Sequence, residues 1–296
     1  MQVFFMLINL EELHSYNSIV SAIINLHNNY PSILTINSIG QSHDGREILC
    51  IRLGRGKCGP VMLGGVHGRE RINPIVLVAI LARYCEQYDS KYISALDDYC
   101  IYFIPVLNPD GYDIAISGFG AISGEPERQY CQSLHIPWEK YKYNARGIDI
   151  NRNFRSANFM KTRHSGNVFS ENESLAFMNF CQEHDTMGMI DFHSRGESIY
   201  YHRSRLSEEY NNRQFYLAGK LAGITGYSLN MPFEENIDGI SGGNSVNYYS
   251  ETFEKPALTV ETVEEQAEFP LAVEHQGDVY LKIKDIPMQF LFHLLR

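Results

Sequence analysis

The apolar positions of this chain fall into helical and strand-like patterns that succeed one another along its length. In residues 10–26, Leu13, Ile19, Val20, Ile23, Ile24 and Leu26 recur at helical spacing, and Asn28, Asn29 and Pro31 supply a stop. Residues 48–53 follow the Asp44-Gly45 turn pair and read as a strand. Residues 61–66 read as a second strand, closing on Gly64-Gly65 before His67-Gly68-Arg69-Glu70. Helical spacing returns over residues 74–84. Residues 99–106 form a third apolar run, ended by Pro105 and the turn sequence Asn108-Pro109-Asp110-Gly111. Residues 112–167 show no clear period and are rich in Gly, Ser, Asn and aromatics, a stretch expected to be irregular and functional. A helix is predicted over 171–183, with Ser170 as its cap and Glu173 at the box position. Further on come a strand at 187–192 running into His193-Ser194, a helix at 206–222, a strand at 257–260 ending at Glu261, and a mostly helical 279–295. Strands alternating with helices predict an α/β fold, a three-layer sandwich around a mixed, largely parallel sheet.

No Pro/Gly/Ser-rich linker, charge run or repeat divides the 296 residues, so one domain over 1–296 is expected. The 44% hydrophobic and 20% charged composition is that of an ordinary globular protein. A net charge of -10 argues against a nucleic-acid partner, which needs clustered Lys and Arg. The six cysteines form no C-x-x-C pair, which speaks against a zinc ribbon or redox motif and points to a reducing compartment. Residues 1–10 are apolar but lack a basic n-region, and Glu11 and Glu12 interrupt them, so no signal peptide is read. No stretch is long enough to span a membrane. A cytoplasmic location is therefore expected, or a secreted or cell-wall one if the native start lies further upstream.

The chemistry gathers at strand ends. Three predicted strands lead into His67/Glu70, His193 and Glu261. A catalytic zinc takes three N or O ligands and leaves a position open for water or substrate, and a further carboxylate can take a proton from that water. An H-x-x-E pair alone is most often two polar residues on one surface turn, and most of the eleven histidines must be packing or surface residues. His164 and His184 are read as structural.

The order of motifs changes that balance. Ser38-Ile39-Gly40-Gln41-Ser42, Gly45-Arg46-Glu47-Ile48, Gly64 to Glu70, Pro105 to Tyr112, Gly147 to Phe154, Asp191 to Ser194 and Thr259-Val260-Glu261 follow one another as in the zinc metallocarboxypeptidases. The chain resembles that family over nearly its whole length. The resemblance implies one zinc ion held by His67, Glu70 and His193, with Glu261 as the general base that deprotonates water and reprotonates the leaving amine. It implies that Asn151 and Arg152 grip the substrate's terminal carboxylate, the guanidinium offering a bidentate fork. Ser194 and Tyr248 are placed with the substrate-binding set.

Two departures qualify the match. Ten residues before Arg152, where the family usually carries an oxyanion-stabilising arginine, stands Lys142, with Arg146 as its rival. The closing tyrosine that many relatives carry before the glycine pair is missing from residues 234–238, while Tyr248 and Tyr249 follow Gly242-Gly243 as expected pocket walls. Residues 244–247 are small or polar, which disfavours a large apolar terminal side chain. Residues 138–147 look more like bacterial γ-D-glutamyl-diamino-acid peptidases, which suggests a peptide or muropeptide substrate with a free carboxylate, such as γ-D-Glu-diaminopimelate. The alternative is a zinc deacylase of N-acyl amino acids, like the aspartoacylase and succinylglutamate desuccinylase group, although the 147–154 block and the N-terminal third favour the peptidase.

Overall fold

The structure, a computed structural model, describes residues 8–88, 90–231 and 242–296. The reading of the N-terminal start over residues 1–7, and that of residues 234–238, lie outside the described residues. The strands are β1 (Leu34–Gln41), β2 (Glu47–Leu53), β3 (Gly59–Leu63), β4 (Ile101–Ile104), β5 (Thr186–Ser194), β6 (Ser198–Tyr200), β7 (Ser228–Leu229) and β8 (Ala257–Thr262). They form one sheet in the order β1-β2-β4-β3-β5-β8-β6-β7. The central pairs β4/β3, β3/β5 and β5/β8 are parallel, whereas β1/β2, β2/β4 and β8/β6 are antiparallel. The sheet is thus mixed with a parallel centre, as expected.

The helices are α1 (Tyr16–Asn29), α2 (Ile72–Glu86), α3 (Pro109–Ser117), α4 (Glu125–Ser133), α5 (Asn172–Glu183), α6 (Glu208–Thr225), α7 (Ser245–Phe253), α8 (His275–Ile283) and α9 (Ile286–Leu294). Alternate strand residues feed two cores, because successive side chains point to opposite faces. Met62, Phe103, Ile190, Phe192 and Leu258 join one core with residues of α1, α2, α6, α8 and α9. Val61, Leu63, Tyr102, Met189 and Ala257 join the other with Phe177 of α5 and Tyr248 of α7. Helix α2 is apolar on every side and thirteen of its fifteen residues are buried, the pattern of a helix with no solvent face.

Several local expectations need correction. Helix α1 starts at Tyr16 rather than Leu10, because Ser15 caps it by accepting from the Ser18 N–H. Its buried stripe is Tyr16, Ile19, Ile23 and Leu26, while Leu13 and Ile24 are exposed. The turn sequence at Asn108 is instead a helix start: Asn108 accepts from Gly111 N–H and Pro109 occupies the first turn of α3. Turn and N-cap chemistry use the same residues, so periodicity could not separate them. Helix α4 buries only Cys131 and therefore has no apolar period to read. Ser170 is not the cap of α5, since Glu171 holds that position without a side-chain bond, and Glu173 is buried rather than closing a box. The C-terminal helix is two, α8 and α9, with Pro287 in the first turn of the second. The edge strand β1, paired on one side only, was not read because it carries Asn37, Ser38 and Gly40 among its apolar residues.

Two motif blocks serve as buttresses. Asp110 is fully buried and accepts from Ser42 Oγ (2.7 Å), Asp44 N (2.9 Å) and Arg46 Nη1 (2.8 Å). Arg46 also bonds Asp113 Oδ2 (3.1 Å) and the Ala121 carbonyl (2.7 Å), so the β1–β2 turn is tied to α3. Asn108 in turn donates to the Gly65 and Val66 carbonyls, at 2.9 and 3.2 Å, fixing the loop that leaves β3. Arg46→Met would strip Asp110 of its counter-charge and should cost about 3 kcal/mol. Urea unfolding checks this, as a lower midpoint at unchanged slope. An unchanged midpoint would show that Ser42 and Asp44 alone satisfy Asp110.

Candidate metal centre

From β3 the chain passes to β4 on one side and, later, β5 lies on the other, so the loops leaving β3 and β5 part over a crevice at the strands' carboxyl ends. Here the second core turns polar. Along β5, Met189 of the core is followed at two-residue steps by Asp191 and His193; along β8, Ala257 is followed by Thr259 and Glu261. His193 and Glu261 are direct partners in the parallel ladder, so both side chains leave the same face. The loop after β3 brings His67 and Glu70 over this edge. Of its glycine pair only Gly65 adopts a left-handed φ, +61°, while Gly64 is small because a Cβ there would lie 2.8 Å from Leu77 Cδ1.

Glu70 lies between the two imidazoles, its Oε1 2.6 Å from His67 Nδ1 and its Oε2 2.9 Å from His193 Nδ1. One donor atom from each of the three residues falls within 4.8 Å of the others. The far nitrogens face carboxylates too: His67 Nε2 is 3.2 Å from Asp149 Oδ1, and His193 Nε2 is 3.1 Å from Asp191 Oδ2. A metal held here would take the Nδ1 lone pairs in place of protons and leave each Nε2–H to its carboxylate, which can only accept. Two such nitrogens and a carboxylate are the donor set of a catalytic zinc, and the residues fit the ion. The Ser194 N–H holds Glu70 Oε2 at 3.1 Å.

Burial opposes charge on both imidazoles, but the surrounding carboxylates outweigh it, and both histidines are drawn above their ordinary range, His193 strongly. Burial likewise opposes the Glu70 charge, yet His67 and His193 hold that carboxyl well below the usual range. Glu261 goes the other way. Burial lifts it to about 7 against the opposing pull of His193, and its Oε2 is buried without a hydrogen-bond partner among the described residues.

The rival cations separate. Lys142 Nζ is 2.6 Å from Asp149 Oδ2, next to the metal donors, whereas Arg146 is exposed and turns to Glu171, 3.4 Å away. Asn151 and Arg152 lie in a short 3-10 turn (Ile150–Arg152) capped by Asp149, which accepts from the Asn151 N–H at 3.0 Å. Asn151 Nδ2 lies 3.4 Å from His193 Nε2, and Arg152 Nη1 donates to the Asn151 carbonyl at 2.7 Å. Gly243, at φ +81°, packs on the Arg152 backbone so closely that a Cβ would sit 2.8 Å from its carbonyl oxygen. Two site expectations are corrected. Ser194 is buried, with its N–H on Glu70 and its hydroxyl shared between Asn73 (3.2 Å) and Thr262 (2.9 Å), so it braces the centre. Tyr248 is 3% exposed and stacks on Phe154 at 5.9 Å, a core residue rather than a pocket wall. Tyr249, also named as a wall, is fully buried. His164 stacks on Tyr143 and His184 on Phe180. Asp149 and Asp191, which face the far nitrogens of the two rings, were not singled out from the sequence. The two-residue step from Asp191 to His193 on a strand placed them on one face and was a readable sign.

Fold and site together define an α/β protein with a His-Glu-His metal centre at the carboxyl edge of a mixed sheet. The chain belongs to the zinc carboxypeptidase family, whose sequence profile matches residues 19–271. It is 26% identical over 155 residues to the carboxypeptidase N catalytic chain of Homo sapiens, an overlap of 49% of this chain and 31% of that one. The chain spans less than half the length of that relative. Among solved structures, bovine thrombin-activatable fibrinolysis inhibitor superposes with a TM-score of 0.79 at 18% identity, covering 97% of this chain and 98% of that one. The murein-tripeptide amidase MpaA of Escherichia coli O157 superposes at 0.53 and 16% identity, covering 86% and 91%. These last two likenesses concern the fold.

The protein should bind one zinc ion, and His193→Ala should abolish stoichiometric binding in a chelator-competition titration. Because protons and metal compete for the same Nδ1 atoms, affinity should fall as pH drops through the raised histidine range. Affinity that does not change with pH would place the ion elsewhere.

Proposed function

We propose that this chain forms one catalytic domain, a zinc carboxypeptidase that hydrolyses the amide bond beside a free carboxylate. The observation that carries this reading is Glu261: an unpartnered, buried carboxylate oxygen on the strand neighbouring His193, with burial bringing its proton affinity near neutrality. Zinc, when bound, supplies positive charge that polarises a carbonyl and acidifies water. Glu261 takes the proton of the attacking water and returns it to the leaving amine. Lys142, ion-paired to Asp149, balances charge growing on the scissile carbonyl oxygen. Arg152 and Asn151 hold the terminal carboxylate, which restricts cleavage to a chain end.

For the substrate we propose peptidoglycan-derived peptides of the γ-D-Glu-diaminopimelate kind. The likeness of residues 138–147 to the diamino-acid peptidases supports this, as do the polar, half-buried Asn244 and Asn247. The fold likeness to a murein-tripeptide amidase agrees with it.

Zinc-loaded protein incubated with free, C-terminally amidated and muropeptide substrates, with products identified by mass, tests both parts. Release of the last residue should require the free carboxylate and stop on chelation. Hydrolysis of N-acetylaspartate without peptide cleavage would reassign the chain to the deacylases. Glu261→Gln should retain zinc and lower kcat by about 10²- to 10⁴-fold. The base works ionised, so kcat/KM should rise with pH and level off at or below about 7, since burial lifts Glu261 to about 7 and a bound cation lowers it. Unchanged hydrolysis in Glu261→Gln would remove it as the base.

A further inference from the structure

Asp191 is 1% exposed and Ser245, the first residue of α7, is fully buried. Ser245 Oγ donates to Asp191 Oδ2, the same oxygen that faces His193 Nε2 at 3.1 Å. On its other side the Ser245 N–H donates to Asn151 Oδ1 at 3.2 Å, which leaves the Asn151 amide nitrogen facing His193. One residue therefore touches both the metal-ligand shell and the residue assigned to the substrate carboxylate. A tie between α7 and β5 alone would need no charge there, because a neutral side chain could accept the hydroxyl. Burying a carboxylate costs several kcal/mol unless a partner uses the charge. The partner facing it is the Nε2–H of His193.

We propose that Asp191 is the positioning residue of His193, and that Ser245 sets the aim of Asp191 through its hydroxyl and of Asn151 through its backbone. The carboxylate fixes the His193 tautomer and raises the basicity of Nδ1; the serine hydroxyl keeps Oδ2 in line with the ring. This inference rests on the metal reading of the site. It is tested by zinc affinity, measured by chelator competition on wild type, Asp191→Asn and Ser245→Ala, beside urea unfolding of each metal-free protein.

Tight binding by the wild type tests the metal reading; the differences between variants test the positioning role. Asp191→Asn should bind zinc about 10- to 100-fold more weakly. Ser245→Ala should weaken it by about tenfold while leaving KM at saturating zinc within about twofold, because the backbone N–H to Asn151 remains. Zinc affinity within about twofold of wild type in both variants would overturn the proposal, whether or not stability falls. A raised KM in Ser245→Ala with unchanged zinc affinity would overturn it too, making Ser245 a substrate contact. If Asp191→Asn does not fold, Ser245→Ala decides alone.

Discussion

Four carboxylates, Glu70, Asp149, Asp191 and Glu261, converge on one crevice around two imidazoles, with Lys142 beside Asp149. Negative charge gathered away from water is unfavourable unless cations answer it, and Lys142 is ion-paired to Asp149. A dication held by His67, Glu70 and His193 would answer it. Of the remaining acids, Asp149 and Asp191 face the Nε2 atoms of the rings, and Glu261 is the one proposed to exchange a proton.

A contrasting acid shows what a partner does. Glu173 is buried as completely as any group at the centre, and burial pushes it up to about 8 against the opposing hydrogen bonds of its own backbone and of Asn144. Glu70 suffers the same burial but keeps its charge because two imidazoles face it. The difference is set by neighbours, not by depth.

The backbone that holds these neighbours is rigid for specific reasons. Asn73 in the first turn of the largely buried α2 bonds Ser194 Oγ at 3.2 Å and Thr262 Oγ1 at 2.8 Å, locking the ends of β5 and β8 against the helix. Asn108 holds the loop of His67, and Asp110 with Arg46 ties that support to the first hairpin. The ordered motifs of the N-terminal third, remote from the metal donors in sequence, are thus the frame of the centre.

The strands that end at His193 and Glu261, the parallel centre of the sheet and the candidate ligands were legible in the chain, because strand period, glycine turns and ligand chemistry are local properties. Residues 112–167 were not: α3 and α4 have little apolar period, and turn residues doubled as a helix cap. Which of Lys142 and Arg146 lies near the metal donors was also closed to local reasoning, since both are cations on one short segment. Only tertiary structure decided it, by placing Asp149 within 2.6 Å of one and Glu171 beside the other. The same holds for Ser245, 54 residues from Asp191 and 94 from Asn151, whose bonds to both exist only because α7 packs over β5. Period and residue chemistry determine which side chains can act; the packing of distant elements determines which of them meet.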